Sequence, residues 1–396
     1  MNSKIYLIFL FFILFFAQNV MNLLGINCNY AYAVYVALAS LLIVTHKNCF
    51  ARKNKKITIL IIVTILVGVI KMRTDTKSNS AWVALMLMSA PLIFGSFPTL
   101  KNAFFWKKAN NLLIAFYVFE CGLAIFERIT LYNIFPWMTD STNSSILLMD
   151  ASEDISSFRS FGLLGHPLQN ALPVCTMMAF ILCSTKMKAK NKIILWLLGY
   201  VAILCFNTRG SIVGAAMILG AYVLYQYFFN KKLSFAKRNI ALFGIIIGAV
   251  GLIFVIMNFN LGGRLAEMGL FDDSSAQVRL NTWEIFNYFD LSTFLFGMSS
   301  SEIGVIMSSS GILTTENFWI DYMLSIGLIA LAIIVIAYIY AVRSLYHGFK
   351  KFDVLITLSS FILIASTNNS LSANWIPTFI YLFSICTFSF KEGYSK

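Results

Sequence analysis

Apolar runs long enough to cross a hydrocarbon core recur along the whole chain, and nothing constrains its fold more than they do. They cover approximately Ile5–Leu24, Tyr30–Thr45, Ile57–Ile70, Ala81–Phe97, Asn111–Ile129, Pro167–Cys183, Ile193–Phe206, Ser211–Phe229, Ile240–Asn258, Phe318–Ala341, Val354–Ser366 and Leu371–Phe390. At about 1.5 Å rise per residue, a core of about 30 Å takes roughly 20 such residues. The pattern predicts an all-α polytopic membrane protein with about twelve transmembrane helices. The runs at Ile57, Ile193 and Val354 are short for a span. No separate soluble domain fits between the runs, so residues 1–396 are expected to form a single integral membrane domain. The first run lacks a small-residue cleavage site after its apolar core and reads as a retained helix.

Composition agrees. Hydrophobic residues make up 59% of the chain and charged residues 12%, against about half and a quarter in soluble domains. The net charge of +13 would suggest nucleic acid in a soluble protein, but here its distribution follows membrane topology. Short segments rich in Lys and Arg stay on the cytoplasmic side. With Lys4 inside, 22 of the 30 Lys and Arg fall on inside segments and 8 outside. Both termini are then cytoplasmic, no nucleic-acid partner is expected, and the lipid bilayer is the first partner. The kind of basic residue also changes across the membrane: 19 of the 22 inside are Lys, and 6 of the 8 outside are Arg. Topology needs only charge, whereas a planar fork of donors suits phosphate or carboxylate. The outside arginines therefore read as ligand residues.

Two stretches are too polar to span and are expected as outside loops, about 127–166 and 259–317. The second carries Arg264, Asp272, Asp273, Arg279, Trp283, Glu284, Tyr288 and Glu316, and ends at Thr315-Glu316-Asn317 before a further apolar run. The first supplies Trp137, an acidic patch at Asp150–Asp154, Arg159 and His166, with Pro167 suited to a first helical turn. A third, short feature, Asn207-Thr208-Arg209-Gly210-Ser211, combines an outward-facing helix start with an arginine, a combination suited to an anion. Within the membrane, Glu120 and Glu127 lie about two turns apart on one helix face, and a structural pairing between helices is expected for Glu120. Asp321 lies one turn beyond Asn317 on the same side. The seven cysteines and three histidines show no ligand spacing, so no disulfide, no metal site and no cofactor are expected.

These residues resemble the O-antigen polymerases and O-antigen ligases of bacterial envelopes. The resemblance rests on the twelve-helix, two-loop layout and on Arg159-Ser160-Phe161-Gly162 followed by Gly165-His166-Pro167. It rests also on Thr208-Arg209-Gly210-Ser211, on Arg279 followed by Trp283 and Gly297, and on Glu316-Asn317 opening a helix that contains Gly327-Leu328. It implies a GT-C-like fold in the bacterial inner membrane and metal-independent, inverting glycosyl transfer on the periplasmic side. The implied substrate is a glycan on undecaprenyl diphosphate, handled alongside a flippase and a chain-length regulator. Carried onto this chain, Arg159, Arg209 and Arg279 would hold the diphosphate, and Glu316 would sit at the acceptor hydroxyl. From the residues themselves, Asp321, one turn from Asn317, is the second candidate catalytic carboxylate, and Asn317, His166 and Trp283 are candidates to contact the substrate. Ligases have His where this chain has Glu316, which favours polymerase over ligase. A lipid-linked glycan flippase would need no large outside loop, and a secondary transporter would show inverted repeats, which the sequence lacks.

Overall fold

The structure, a computed structural model, describes residues 3–16, 20, 103–134, 158–229, 236, 239, 243–244, 248, 251, 258, 261, 282–310, 315, 317–346, 349–367, 369–373 and 376–389. The runs expected at 30–45, 57–70 and 81–97, and most of 240–258, lie outside the described residues, which are helical with no strand among them. In order, the α-helices are α1 Ser3–Phe15, α2 Ala103–Thr130, α3 Pro167–Cys183, α4 Ala189–Phe206 and α5 Arg209–Phe229. They continue with α6 Leu291–Phe296, α7 Ser300–Ser309, α8 Phe318–Leu345, α9 Lys351–Ser366, α10 Ser370–Ala373 and α11 Ile376–Ser389. A 3₁₀ helix, Thr282–Tyr288, precedes α6. Ala189–Phe206, Arg209–Phe229 and Phe318–Tyr340 are long and apolar enough to cross a membrane.

The bundle is organised around α3. Its sequence carries no charged residue, and all but one of its residues are buried, as expected of a helix apolar on every side. It packs against α2, α4, α5, α9 and α11. Gly199 lets α4 come close: a Cβ there would meet the Tyr117 hydroxyl and the Met178 side chain. That hydroxyl donates to the Leu195 carbonyl at 2.7 Å.

The two ends of the bundle differ in chemistry. At one, Lys192 Nζ donates to the Leu182 carbonyl at 2.8 Å, closing the C-terminus of α3. Asp353 at the start of α9 lies beside Cys183 and Lys192, and Lys186, Lys188, Lys190, Lys350 and Lys351 stand exposed around it. The other end gathers the segment before α3, the α4–α5 turn, the C-terminus of α9 and the N-terminus of α8. Lysines thus mark one end, and Arg159 and Arg209 the other.

One sequence expectation changes. α8, read as one uninterrupted span, is broken at Gly327, whose φ of 76° and ψ of 168° are not helical. Glu127 and Arg128, which fall both in the expected span Asn111–Ile129 and at the start of the loop expected at about 127–166, lie inside α2, which runs on to Thr130.

Candidate functional site

Residues 158–166 form a tight arch over the ends of α2 and α4, and the five consecutive amides from Ser160 to Leu164 are all caught. Arg128 Nη1 donates to the Phe158 carbonyl at 3.2 Å, with its guanidinium 5.9 Å from the Phe158 ring centroid. Ser160 N–H donates to the Cys205 carbonyl at 3.1 Å, and its hydroxyl to the Ala124 carbonyl at 2.7 Å. Glu127 then takes two consecutive amides on Oε2, Phe161 at 2.7 Å and Gly162 at 2.9 Å, and the Ile134 amide on Oε1 at 3.1 Å. Glu120 Oε2 accepts from Leu163 at 3.2 Å. Asn170 closes the arch, accepting the Leu164 amide at 3.0 Å on Oδ1 and donating through Nδ2 to the Phe161 and His166 carbonyls.

The sequence pattern is shaped to this geometry. Gly162 has φ +56°, in the left-handed region, and a Cβ there would collide with Glu120 Oε1 and press on Asn170 Nδ2. Only glycine fits without strain. Among the described residues, the pairing expected for Glu120 is thus made with the arch backbone. Glu127 carries the larger share, and both carboxylates are fully buried. The sequence pattern puts the two acids on one face, but their partners in the arch lie 34 to 43 residues away, beyond any local signal.

The arch presents Arg159 and His166 at its two feet. Arg159 Nε donates to the Phe206 carbonyl at 3.4 Å, which fixes it beside the α4–α5 turn. His166 caps α3, its Nδ1 accepting the Leu168 amide at 3.3 Å. Burial, followed by the nearby Arg159 guanidinium, pushes the His166 pKa down to about 3. The imidazole is therefore neutral at physiological pH, as its acceptor role requires.

The α4–α5 turn reverses through Asn207 in the left-handed conformation, φ 53° and ψ 45°. α5 then starts at Arg209, with Ser211 and Ile212 amides bonded back to the Thr208 carbonyl at 3.1 and 3.0 Å. The hydroxyls of Thr208 and Ser211 are buried and have no hydrogen-bond partner among the described residues. Gly210 lets the chain pass close to Thr367 at the C-terminus of α9. Its neighbour Ser366 accepts from Trp319 Nε1 at 3.1 Å, which joins this corner to the start of α8. There Asn317 caps the helix, its Oδ1 accepting the Trp319 amide at 2.9 Å, and the Asp321 amide bonds the Asn317 carbonyl at 3.1 Å.

Of the residues singled out in the sequence, Arg159, His166 and Arg209 share one corner, and Asn317 and Asp321 stand beside it through Trp319, Ser366 and Thr367. Trp283 is exposed on the 3₁₀ helix, its ring 5.7 Å from that of Phe286. Glu316, Arg279, Arg264, Trp137 and the acidic patch at 150–154 lie outside the described residues. The sequence pattern assigns no role to Ser160, Asn170, Thr208 and Ser211, although Ser160, Thr208 and Ser211 stand inside the motifs quoted above.

Chemically, the corner offers a guanidinium held by backbone, a second arginine at the N-terminus of a 21-residue helix, two buried hydroxyls and a neutral imidazole. Such a set favours an anion with several oxygens. No protein-family model and no curated protein matches the chain.

Proposed function

We propose that this chain is a polysaccharide polymerase of the bacterial inner membrane. It would join oligosaccharide repeat units carried on undecaprenyl diphosphate by metal-independent, inverting glycosyl transfer on the periplasmic side. The observation that carries the reading is the convergence of Arg159, Arg209 and the Thr208–Ser211 turn at one corner of the bundle. The resemblance of the Arg159-Ser160-Phe161-Gly162 and Thr208-Arg209-Gly210-Ser211 motifs to the polymerase and ligase family supports it.

Lipid diphosphate is already a good leaving group. The protein's task is to neutralise its charge and hold an acceptor hydroxyl in line with the anomeric carbon. Arg159 and Arg209, with Arg279 from the outside loop, take the diphosphate oxygens, helped by the N-terminal amides of α5. The acceptor oxygen forms the new bond to the anomeric carbon, and the bond to the diphosphate oxygen breaks with its electron pair. Glu316, with Asp321 one turn away, receives the hydroxyl proton, a contribution of typically about 10²–10⁴-fold. Asn317 fixes the start of α8, which carries Asp321, and His166 and Trp283 offer a neutral hydrogen-bonding group and a flat apolar face to the sugars.

Deletion in a host that makes O-antigen tests the reading. A polymerase deletion leaves lipid A-core bearing one repeat unit, because the ligase still transfers unpolymerised glycan. Bare core with long polymer retained on the carrier lipid would assign the chain to ligation instead. Unchanged polymer would overturn both.

A further inference from the structure

The segment ahead of α8 meets that helix well past its start. α8 is broken at Gly327, ten residues past its cap Asn317. At about 1.5 Å per residue, that is about 15 Å along the helix, or half of a roughly 30 Å hydrocarbon core. The chain at 295–298 touches α8 at this break. A Cβ on Gly297 would lie 2.8 Å from the Gly327 nitrogen and 2.8 Å from the Ser325 carbonyl carbon, and a Cβ on Gly327 would collide with the Leu295 carbonyl. Two glycines, at φ +77° and +76°, let the two backbones meet without side chains between them.

The break releases the Leu324 carbonyl, whose helical donor would be the amide of Leu328. Met298 N–H takes it at 2.7 Å. Broken backbone at membrane depth needs such a partner from protein. On either side of the contact, α6 leads to the break and α7 leads away, packing against both α8 and the 3₁₀ helix. Ile285, Met298, Ile303 and Ile306 close over Ile320 and Leu324, so the hairpin lines the first half of α8.

On the side turned away from α8 three apolar side chains stand exposed among the described residues, Leu291 at 75%, Phe296 at 61% and Val305 at 66%, beside exposed Ser292, Ser301, Ser308 and Ser309. Glu302 is the one charged residue in 291–309, and its carboxylate is engaged by the Ser299 amide and hydroxyl, each at 2.8 Å.

We infer that residues 291–309 form a re-entrant hairpin that enters the outer half of the bilayer, with Leu291, Phe296 and Val305 against lipid acyl chains. Depth selects this occupant, because a segment in contact with Gly327 shares the level of Gly327 in a helix that spans. The inference stands independently of the activity proposed above.

Site-directed fluorescence tests it on the full chain in phosphatidylcholine vesicles. Cys28 and Cys49 are replaced by Ser, while the buried Cys121, Cys175, Cys183, Cys205 and Cys386 are kept. A bimane is attached in turn at Leu291→Cys, Phe296→Cys, Val305→Cys and, as a surface control, Glu284→Cys. Lipids brominated in mid-chain should quench the first three several-fold more than aqueous iodide does, and the order should reverse at 284. Iodide quenching at 291, 296 and 305 equal to that at 284 would overturn the inference. So would protection from both quenchers that disappears on dilution with excess lipid, since a second copy of the chain would then be the occupant.

Discussion

The oxygens of Glu127 show how much one residue can hold. One carboxylate accepts three backbone amides of the arch and of the end of α2, all within 3.1 Å. Glu127→Gln keeps the shape but turns an amide NH₂ toward N–H groups, so at least one buried donor loses its acceptor. That costs about 1–3 kcal/mol. A lowered melting temperature in detergent, with faster proteolysis between Phe158 and His166, is expected, and Glu120→Gln should cost less because Glu120 accepts a single amide. His166 supplies a pH dependence of definite sign. Burial holds its folded pKa near 3, below the usual value of about 6.5, so the unfolded chain binds the additional proton between those values. Stability is therefore full above about pH 6.5 and declines as pH falls toward 3. His166→Asn keeps a good N-cap and removes the titration. Its melting temperature should vary less than that of the wild type between pH 7 and pH 4.5, and equal slopes would show that His166 is not buried neutral.

Among the elements, helices with apolar periodicity were legible and breaks in them were not. The run at Pro167–Cys183 is α3 to the residue, because Pro167 opens it and all but one of its residues are buried. Ile193–Phe206 and Ser211–Phe229 lengthen only at their N-termini, to Ala189 and Arg209, where polar residues complete a first turn that hydropathy does not count. Gly327 escaped notice since one glycine within a long apolar run does not by itself report a kink. Its cause is Gly297, thirty residues earlier. The arch escapes for the same reason, its carboxylate clamps being far from it in sequence, whereas Arg159, His166 and Arg209 stand out because each sits in a polar stretch between apolar runs. The Gly297–Gly327 contact carries its own prediction. Gly297→Ala would set a Cβ 2.8 Å from α8 backbone atoms at a φ that L-residues rarely adopt. The Met298–Leu324 bond should open, and amide exchange should accelerate selectively in α6, α7 and the first half of α8 while α3 and α4 keep their protection. Uniform loss of protection would mean that the contact supports the whole bundle.

For the whole molecule, the division between ends ties architecture to the proposed chemistry. Lysines cluster where α3 ends and α9 begins, and the arginine corner lies at the other end, next to the start of α8. A charged leaving group carried on a lipid would meet its counter-charges there without crossing the bilayer. That separates polymerisation from transport, which would move the same lipid from one face to the other. Reconstitution makes the distinction in one experiment. The purified chain is placed in vesicles holding an undecaprenyl-diphosphate-linked oligosaccharide, with EDTA present, and the products are resolved by size. A polymerase gives a ladder of whole repeat units with one undecaprenyl diphosphate released per link formed, abolished by Arg159→Lys at unchanged protein content. Oligosaccharide that stays one unit long while it is carried across the vesicle membrane would contradict polymerisation.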